Sequence, residues 1–519
     1  MSDLLPRSLH VKAVQSPAKP TRAALGKLDH VIVVTPHRIT AAVWRGIPDG
    51  RHLQRTARRL KKDGVVRGRL QTPAATGMTL GRLPEPKGSS GQHSTFELLK
   101  FAGQMASAAL EDRPRRLGVM VVGLPADAAA TIARTLVLAI NAHAFALPSY
   151  RSKDDQTRTP ATLRLLGLGE RIDLTRTEAE SQALNLVRWL TSLPPNKLDA
   201  GAYRGLLESL ATQQGWKMRW LGESQLRRLG AGAFLAVSQG NAAREAGIAH
   251  LKYRPPSAGD KPPLALVGKG IVFDTGGTNL KPFKAMLDMH EDMSGSAVAL
   301  STLLALSRIG FPHPVDCWLA ITENRISATA YKSRDIVTAS NGTTIEVIHT
   351  DAEGRMALAD ALALAAGEEP HLILDYATLT GTCVQALTER YSGAFTNRPQ
   401  LHPVLVDAGT ACGERVWPFP MDPDYDEDLK SQVADVVQCS ADGGGDHILA
   451  ARFLQRFVPE KIPWVHVDLS AASRKGGLAQ VPSRATGFGV RFSLALLLDH
   501  SDRLSQALGR SAAGASVKP

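Results

Sequence analysis

Cysteine is scarce in this chain, with four residues among 519, namely Cys317, Cys383, Cys412 and Cys439. They lie far apart in the sequence, and no two of them form a CxxC pair. This spacing argues against a disulfide framework and against a zinc site built from cysteines. We therefore expect four buried free thiols.

Long apolar runs are also missing. No stretch approaches the roughly 18 uninterrupted apolar residues that a membrane-spanning helix needs. The N-terminal segment MSDLLPRSLHVKAVQSPAKPTRAALGKL mixes Pro, Lys and Arg and has no apolar core of the kind found in signal peptides. We expect a cytoplasmic protein with a loosely held N-terminal tail and no contact with membranes.

A nucleotide phosphate loop is absent as well, because GVMVVGLPADAAA lacks the GxxxxGK[ST] spacing. Positive charge is abundant instead. The formal net charge is +12, and much of the excess lies in residues 51–69, RHLQRTARRLKKDGVVRGR. Such a run is either a solvated helix face or a surface for an acidic partner such as nucleic acid. No aromatic interleaving or DNA-reading motif accompanies it.

The second half of the chain alternates between strand-like and helix-like apolar patterns. Strands are predicted at residues 262–274, 315–324, 343–350, 370–381 and 462–470, and helices at residues 293–310 and 356–367. Continuous apolar strands that alternate with helices indicate a sheet covered on both faces. The sequence therefore predicts an α/β fold with a central mixed sheet flanked by helices.

A smaller α/β domain is predicted to precede it. Short valine-rich runs at residues 30–35 and 118–124 are typical of buried strands, and a helix is predicted at 127–145. A polar segment at 150–161 suits a linker, and the proline pair that follows residue 193 ends the next helix. We expect an N-terminal domain over residues 1–182, including the tail and the linker helix region, and a catalytic domain over residues 183–519.

Acidic side chains collect where the predicted strands end. Asp274 ends the strand that also carries Lys269, Asp292 opens a predicted helix, and HTDAEGR places Asp351 and Glu353 between a strand and a helix. Ligands of open α/β sheets bind beyond the carboxyl ends of the strands. Four carboxylates crowded there would repel one another, so we expect two divalent cations about 3.5–4 Å apart to neutralise them.

Spacing supports this interpretation, although an isolated DxE is most often two solvated acids. Alternate residues of an extended segment point the same way, so Asp351 and Glu353 are expected to face one site. Ala352 has a small side chain and Gly354 has none, so metals or substrate can approach the backbone closely. The joint placement of the acids, rather than any one of them, indicates a metal site for hydrolysis.

Four segments together carry a family resemblance. VGKGIVFDTGGTNLKP, HEDMSG, TDAEGRMALADAL and DYATLTG occur in the order and at the spacing found in the leucyl (cytosol) aminopeptidase family of dinuclear metallopeptidases. The sequence resembles that family from about residue 185 to residue 497, whereas its N-terminal region is only loosely similar.

The resemblance implies a role for each matching position. It implies that the metal ligands are Lys269, Asp274, Asp292, Asp351 and Glu353, with Asp274 and Glu353 bridging two ions of Zn²⁺ or Mn²⁺. It implies catalytic roles for Lys281 and Arg355 and a substrate pocket lined by Met289, Thr378 and Gly381. A lysine ligand must be a neutral amine, which burial beside dications makes tenable.

The activity implied is the removal of N-terminal amino acids, with leucine-like residues preferred, from peptides. The free amino terminus would coordinate one metal, Lys281 would stabilise the developing oxyanion, and a metal-activated water would attack. In the family, a bicarbonate ion held by the arginine at position 355 acts as general base. The resemblance also implies a homohexamer.

The sequence departs from the family pattern in two places. His349 replaces an asparagine that is usual there, and it is either a satisfied buried histidine or an added donor near the site. Asp446 and His447, in GGGDHILAARFL, are expected to reshape the entrance or a subunit contact. The alternative function is a basic oligomer that binds nucleic acid with secondary peptidase activity, for which Arg55, Arg58 and Arg59 are the residues to test.

Overall fold

A computed structural model describes residues 4–57, 65–86, 92–152, 160–256, 258 and 264–509. The chain divides into two compact units. The smaller unit comprises residues 8–185 together with 475–484, and the larger unit comprises the described parts of 1–7, 186–474 and 485–519. The short segment 475–484 therefore groups with the N-terminal half, although a single cut of the chain was expected.

The smaller unit is an α/β unit built on a six-stranded sheet. Its strands are β1 (Ala13–Ser16), β2 (His30–Thr35), β3 (Val65–Arg69), β4 (Gly77–Arg82), β5 (Arg116–Val121) and β6 (Thr162–Leu166). Its helices are α1 (Arg22–Leu25), α2 (Ala41–Gly46), α3 (Gly50–Ala57), α4 (Thr95–Leu110) and α5 (Ala126–Ala144), and α6 (Thr175–Thr191) contains the boundary between the units. The strand order is β1-β6-β5-β2-β4-β3, and only β3 runs antiparallel to its neighbour.

Local sequence explains two of these elements. All six residues of β2 are buried, as its unbroken apolar run HVIVVT predicts for a central parallel strand. Helix α4 begins with a capping box, in which the Ser94 side chain accepts from the N–H of Glu97 while the Glu97 carboxylate accepts from the N–H of Ser94.

The larger unit carries the central sheet. Its strands are β7 (Lys217–Gly222), β8 (Gly247–Tyr253), β9 (Leu264–Asp274), β10 (Val315–Asn324), β11 (Ile336–Thr338), β12 (Thr344–Glu346), β13 (Ile373–Ala377), β14 (Ser392–Thr396), β15 (Val416–Pro418), β16 (Val436–Val437) and β17 (Trp464–Asp468). Its helices are α7 (Ala200–Gln214), α8 (Glu223–Arg228), α9 (Gly232–Ser238), α10 (Phe283–Met286), α11 (Ser294–Arg308), α12 (Glu353–Gly367), α13 (Gly381–Leu387), α14 (His402–Cys412), α15 (Asp446–Gln455), α16 (Val490–Leu494) and α17 (Ser501–Ala507).

Eight strands form the central sheet in the order β15-β14-β17-β13-β9-β10-β8-β7. The pairs β17–β13, β13–β9 and β9–β10 are parallel, whereas β8 runs antiparallel to β10 and to β7, and β14 runs antiparallel to β17. The sheet is therefore mixed and flanked by helices, which confirms the predicted fold class.

Strand β9 shows how the sheet separates its two faces. A Cβ at Gly268 would lie 2.6 Å from the Cα of Ser296 in α11, and a Cβ at Gly270 would lie 3.2 Å from the Cβ of the same serine. Lys269, between these glycines, points to the opposite face, where it meets Gly354 of α12. The sequence Gly-Lys-Gly thus packs one helix closely and sends one charged side chain toward the other.

Two details of the prediction were wrong. The strand predicted at residues 343–350 is only three residues long, and it pairs with β11 and β16 in a separate three-stranded sheet. Asp351 and Glu353 are not on extended backbone either, because a turn at Ala352 leads directly into α12, which begins at Glu353. A helix start therefore replaces the expected strand geometry.

The prediction of buried thiols is confirmed, since all four cysteines lie within the described residues, are buried and form no disulfide. None of the helices within the described ranges combines the length and the apolar character needed to cross a bilayer.

Candidate metal centre

Three segments of the larger unit bring the predicted ligands together. Lys269 and Asp274 lie on β9, Asp292 lies between a short 3₁₀ helix at Met289–Glu291 and α11, and Asp351 and Glu353 flank the start of α12. Carboxylate oxygens of Asp274, Asp351 and Glu353 lie within 4.8 Å of one another. Such a cluster is close enough for shared cations, and four of the five side chains, all but Asp351, are buried.

Lys269 connects this cluster to Asp292. Its Nζ lies 2.8 Å from Oδ1 of Asp292 and 3.0 Å from Oε1 of Glu353, and it donates to the carbonyl oxygen of Thr378 at 3.0 Å. The hydroxyl of Thr378 donates to Oδ1 of Asp292 at 2.8 Å. Gly354 makes this geometry sterically possible, because a Cβ there would lie 2.6 Å from Nζ of Lys269.

Lys281 covers the other side of the cluster. Its Nζ lies 2.9 Å from Oδ2 of Asp274 and 2.6 Å from Oδ1 of Asp351. The turn before it requires glycine, since Gly276 has a φ of +86° and a Cβ there would lie 2.6 Å from the carbonyl oxygen of Asn279. The side chain keeps 14% of its surface exposed, so Lys281 is not fully sealed from the solvent.

The electrostatics of the cluster follow from burial and crowding. Burial raises the pKa of Asp274, Asp351 and Glu353, and repulsion among the three carboxylates raises it further. Burial also raises the pKa of Asp292 to about 8 despite its ion pair with Lys269. Burial acts to lower the pKa of Lys269, but the surrounding carboxylates dominate and raise it above its usual value.

The donor set fits divalent cations. Oδ2 of Asp292 is buried and has no hydrogen-bond partner, so one carboxylate oxygen beside the cluster is unsatisfied. Carboxylate oxygens, with at most one nitrogen donor, suit Mg²⁺, Mn²⁺ or Zn²⁺ in a site for hydrolysis. Burial is the main cause of the raised carboxyl pKa values, and crowding of the carboxylates adds to it.

Arg355 lies on the first turn of α12, two residues after Glu353. Its guanidinium is buried, with Nη1 donating to the carbonyl oxygen of Gln438 at 3.0 Å and Nη2 donating to Oδ2 of Asp446 at 2.7 Å. Asp446 was expected to alter the entrance or a subunit contact. Its carboxylate pairs with one of the two predicted catalytic side chains.

The remaining predicted residues differ in their relation to the cluster. Thr378 contacts it directly through Lys269 and Asp292, Met289 is half-buried in the 3₁₀ helix that precedes Asp292, and Gly381 is exposed at the start of α13.

His349 is exposed, so the expectation of a buried histidine was wrong. Its Nδ1 accepts a hydrogen bond from the backbone N–H of Asp351 at 3.3 Å.

The sequence interpretation missed Asn324. Its Nδ2 donates to Oδ1 of Asp274 at 2.8 Å and to the carbonyl oxygen of Thr350 at 3.0 Å, which orients one carboxylate of the cluster. Asn324 and Asp274 are register partners at the ends of two parallel strands. A polar residue that closes the apolar strand VDCWLAITEN was the available signal.

Comparisons with known proteins identify the family of the chain. The model of the cytosol aminopeptidase family, catalytic domain, matches residues 185–494. A probable cytosol aminopeptidase from Synechococcus sp. (strain RCC307) is 38% identical over 429 residues, which cover 80% of this chain and 85% of the relative.

Two of the solved structures that resemble this chain cover more than nine-tenths of it. A tomato leucine aminopeptidase variant has a TM-score of 0.80 and 30% identity, and the match covers 95% of this chain and 98% of that chain. The bottromycin maturation enzyme BotP in complex with Mn has a TM-score of 0.78 and 29% identity, and covers 92% of this chain and 99% of its own.

Proposed function

Because the chain belongs to the cytosol aminopeptidase family, it is a metal-dependent aminopeptidase, and we propose that Lys269, Asp274, Asp292, Asp351 and Glu353 hold two divalent cations. The observation that carries this proposal is the convergence of three carboxylates within 4.8 Å, beside the unsatisfied oxygen of Asp292. When bound, the cations supply Lewis acidity and lower the pKa of a water molecule. Asp274 and Glu353 would each help to hold both cations in this proposal.

The chain's own residues then orient the reaction. Lys281 keeps a positive charge, because the neighbouring carboxylates outweigh burial and raise the pKa of its amine. A partly exposed ammonium beside the cluster is suited to stabilise the negative charge that develops on the scissile carbonyl oxygen. Arg355 contributes a second fixed positive charge, and the bicarbonate implied by the resemblance would compete with Asp446 for its Nη2.

The substrates are peptides with a free amino terminus and a leucine-like first residue. Met289, Thr378 and Gly381 line the pocket for that residue in this proposal, and Thr378 is anchored by its hydroxyl to Asp292. Discrimination among apolar side chains by such a pocket is about 1–3 kcal/mol per methylene, so the preference should be broad.

The metal in use is Mn²⁺ or Zn²⁺. The donor set accommodates either ion, and the similar enzyme BotP has been solved in complex with Mn.

The assembly is a homohexamer in the cytoplasm. Support for assembly comes from exposed apolar side chains of the larger unit, including Phe283 at 76% and Leu287 at 61% exposed, and support for the location comes from the name of the relatives. Light scattering that gives six times the chain mass would test the first part.

An activity screen tests the proposed function. Leucyl anilide should be hydrolysed with Mn²⁺ or Zn²⁺, whereas N-acetylleucyl anilide should not, and a chelator should abolish activity reversibly. Asp351→Ala should remove activity, while the control Asp424→Ala, at an exposed acid of the same unit, should retain it. Less than one metal per chain after saturation, with no hydrolysis of any unblocked peptide, would refute the proposal.

The comparisons favour the enzyme over the nucleic-acid-binding alternative. Arg58 and Arg59 lie outside the described residues, as does the side chain of Arg55, so the structure adds nothing to that alternative. A salt titration of binding to DNA decides it, since binding driven by phosphate contacts weakens steeply as salt rises.

A further inference from the structure

The guanidinium of Arg355 is nearly sealed in the protein interior. The side chain is only 2% exposed, and its Nε is buried without a hydrogen-bond partner. A buried guanidinium requires a paired anion, because an unpaired buried charge is strongly destabilising. Among the described residues, the carboxylate within ion-pair distance of Arg355 is that of Asp446, at 2.7 Å.

The backbone around Asp446 directs its side chain to this partner. Three glycines precede it, of which Gly443 and Gly445 have φ values of +68° and +63°. These left-handed conformations turn the exposed segment 441–445 back, so that Asp446 becomes the first residue of the ten-residue helix α15. A carboxylate in the first turn of a helix is also stabilised by the helix dipole.

Charge on Asp446 is maintained in spite of its partial burial. Burial acts to raise the pKa of its carboxyl, but the ion pair and hydrogen bond with Arg355 dominate and lower it below the usual value. The side chain is therefore an anion at neutral pH. The bond to Arg355 is made by Oδ2, and the side chain remains 24% exposed.

A carboxylate and a bicarbonate ion offer a guanidinium the same group, two oxygen atoms on one carbon in a plane. Arg355 donates from Nη1 to the protein backbone and from Nη2 to Asp446, so a soluble anion of this shape that bonds to Nη2 would compete with the carboxylate. The displaced carboxylate would stay tethered beside its competitor, at an effective concentration of about millimolar. Bicarbonate at a similar concentration would therefore not displace it fully.

We propose that Asp446 serves as a built-in anion on Arg355, so that this enzyme works without a diffusible anion at that position. Asp446 is a positioning residue: it fixes the guanidinium two residues from Glu353 and fills the face that a soluble oxyanion would otherwise occupy. This inference rests on the proposed aminopeptidase function, and it makes bicarbonate dispensable for it.

The kinetic test compares the wild type with Asp446→Ala in carbon dioxide-free buffer. Wild-type kcat should change less than twofold on addition of bicarbonate or formate. Asp446→Ala should lose about 100-fold in kcat, because Arg355 is no longer held in position, and recover at least tenfold, with saturation, when either anion is added. Asp446→Glu should retain part of the activity without added anion. The matched control Asp442→Ala, an exposed acid of the same glycine-rich segment, should behave as the wild type.

A binding measurement separates this inference from the proposed function. Titration calorimetry with bicarbonate should show no binding to the wild type and one site per chain in Asp446→Ala, and that site should be lost when Arg355→Met is added. One bicarbonate bound to the wild type and lost in Arg355→Met would overturn the inference, as would full anion-independent activity of Asp446→Ala. If the alanine variant fails to fold, the wild-type titration still decides. If the wild type hydrolyses no peptide, the proposed function fails, whereas the binding comparison remains decisive for the anion.

Discussion

Nζ of Lys269 lies 2.8 Å from Oδ1 of Asp292, and both side chains are buried. Burial raises the pKa of the Asp292 carboxyl to about 8. Burial acts to lower the pKa of the Lys269 amine, but the surrounding carboxylates dominate and raise it. A cation that binds here needs an ionised carboxylate and a neutral amine, so binding must release protons.

The first prediction follows from this proton release. Metal affinity should rise as the pH is increased from 7 to 9. Binding should release about one to two protons per chain. Calorimetric titration with Mn²⁺ in two buffers that differ in ionisation enthalpy measures the released protons. Identical heats in both buffers would show that these groups do not lose protons to the metal.

The second prediction concerns Gly354. A Cβ at this position would lie 2.6 Å from Nζ of Lys269, so Gly354→Ala should push the lysine away and remove one of the two metals. Gly367→Ala is the control, because it lies at the end of the same helix and its Cβ would meet nothing within 4 Å. Metal content by mass spectrometry should fall toward one per chain in the first variant and stay at two in the second. Two tightly bound metals in Gly354→Ala would contradict this role of the lysine.

The third prediction concerns Lys281. Lys281→Ala, which removes the ammonium, should lower kcat by about 100- to 1,000-fold, the usual loss when one oxyanion donor is deleted. KM should change much less, because the interaction strengthens only as charge develops on the substrate. Lys284→Ala, an exposed lysine three residues further along, should leave both constants unchanged. Equal losses in the two variants would assign the effect to net surface charge.

Much of the site could be predicted from sequence, for a physical reason. Lys269 and Asp274 stand in a continuous apolar strand, which is typical of a strand buried on both faces, so charged residues within it indicate a function. The mixed sheet follows from the alternation of such strands with helices. The helix start at Glu353 was missed because a short apolar run does not distinguish a strand end from a turn into a helix.

The pair of Arg355 and Asp446 could not be predicted in this way. Ninety-one positions separate the two residues, and nothing in local periodicity links them. Their contact depends on how the glycine-rich segment before α15 folds back, which is a property of tertiary structure. The same holds for Asn324, whose role arises from the pairing of β10 with β9.

The fourth prediction concerns the support of α12. Asp360, buried in this helix, accepts hydrogen bonds from the backbone N–H groups of Phe234 at 2.8 Å and Ser340 at 2.7 Å. Asp360→Ala should leave both donors unsatisfied and cost about 2–4 kcal/mol of unfolding free energy. Calorimetry should show a lower Tm, while Asp422→Ala, at an exposed acid, should leave it unchanged. An unaltered Tm in Asp360→Ala would show that water or a local shift replaces the carboxylate.

The most direct measurement of the central claim is anomalous diffraction from crystals soaked in Mn²⁺. We expect two peaks per chain, about 3.5–4 Å apart, with Asp274 and Glu353 each contacting both and Asp351 and Asp292 each contacting one. A single peak, or two peaks that share no carboxylate, would contradict the paired-cation site on which the proposed function depends.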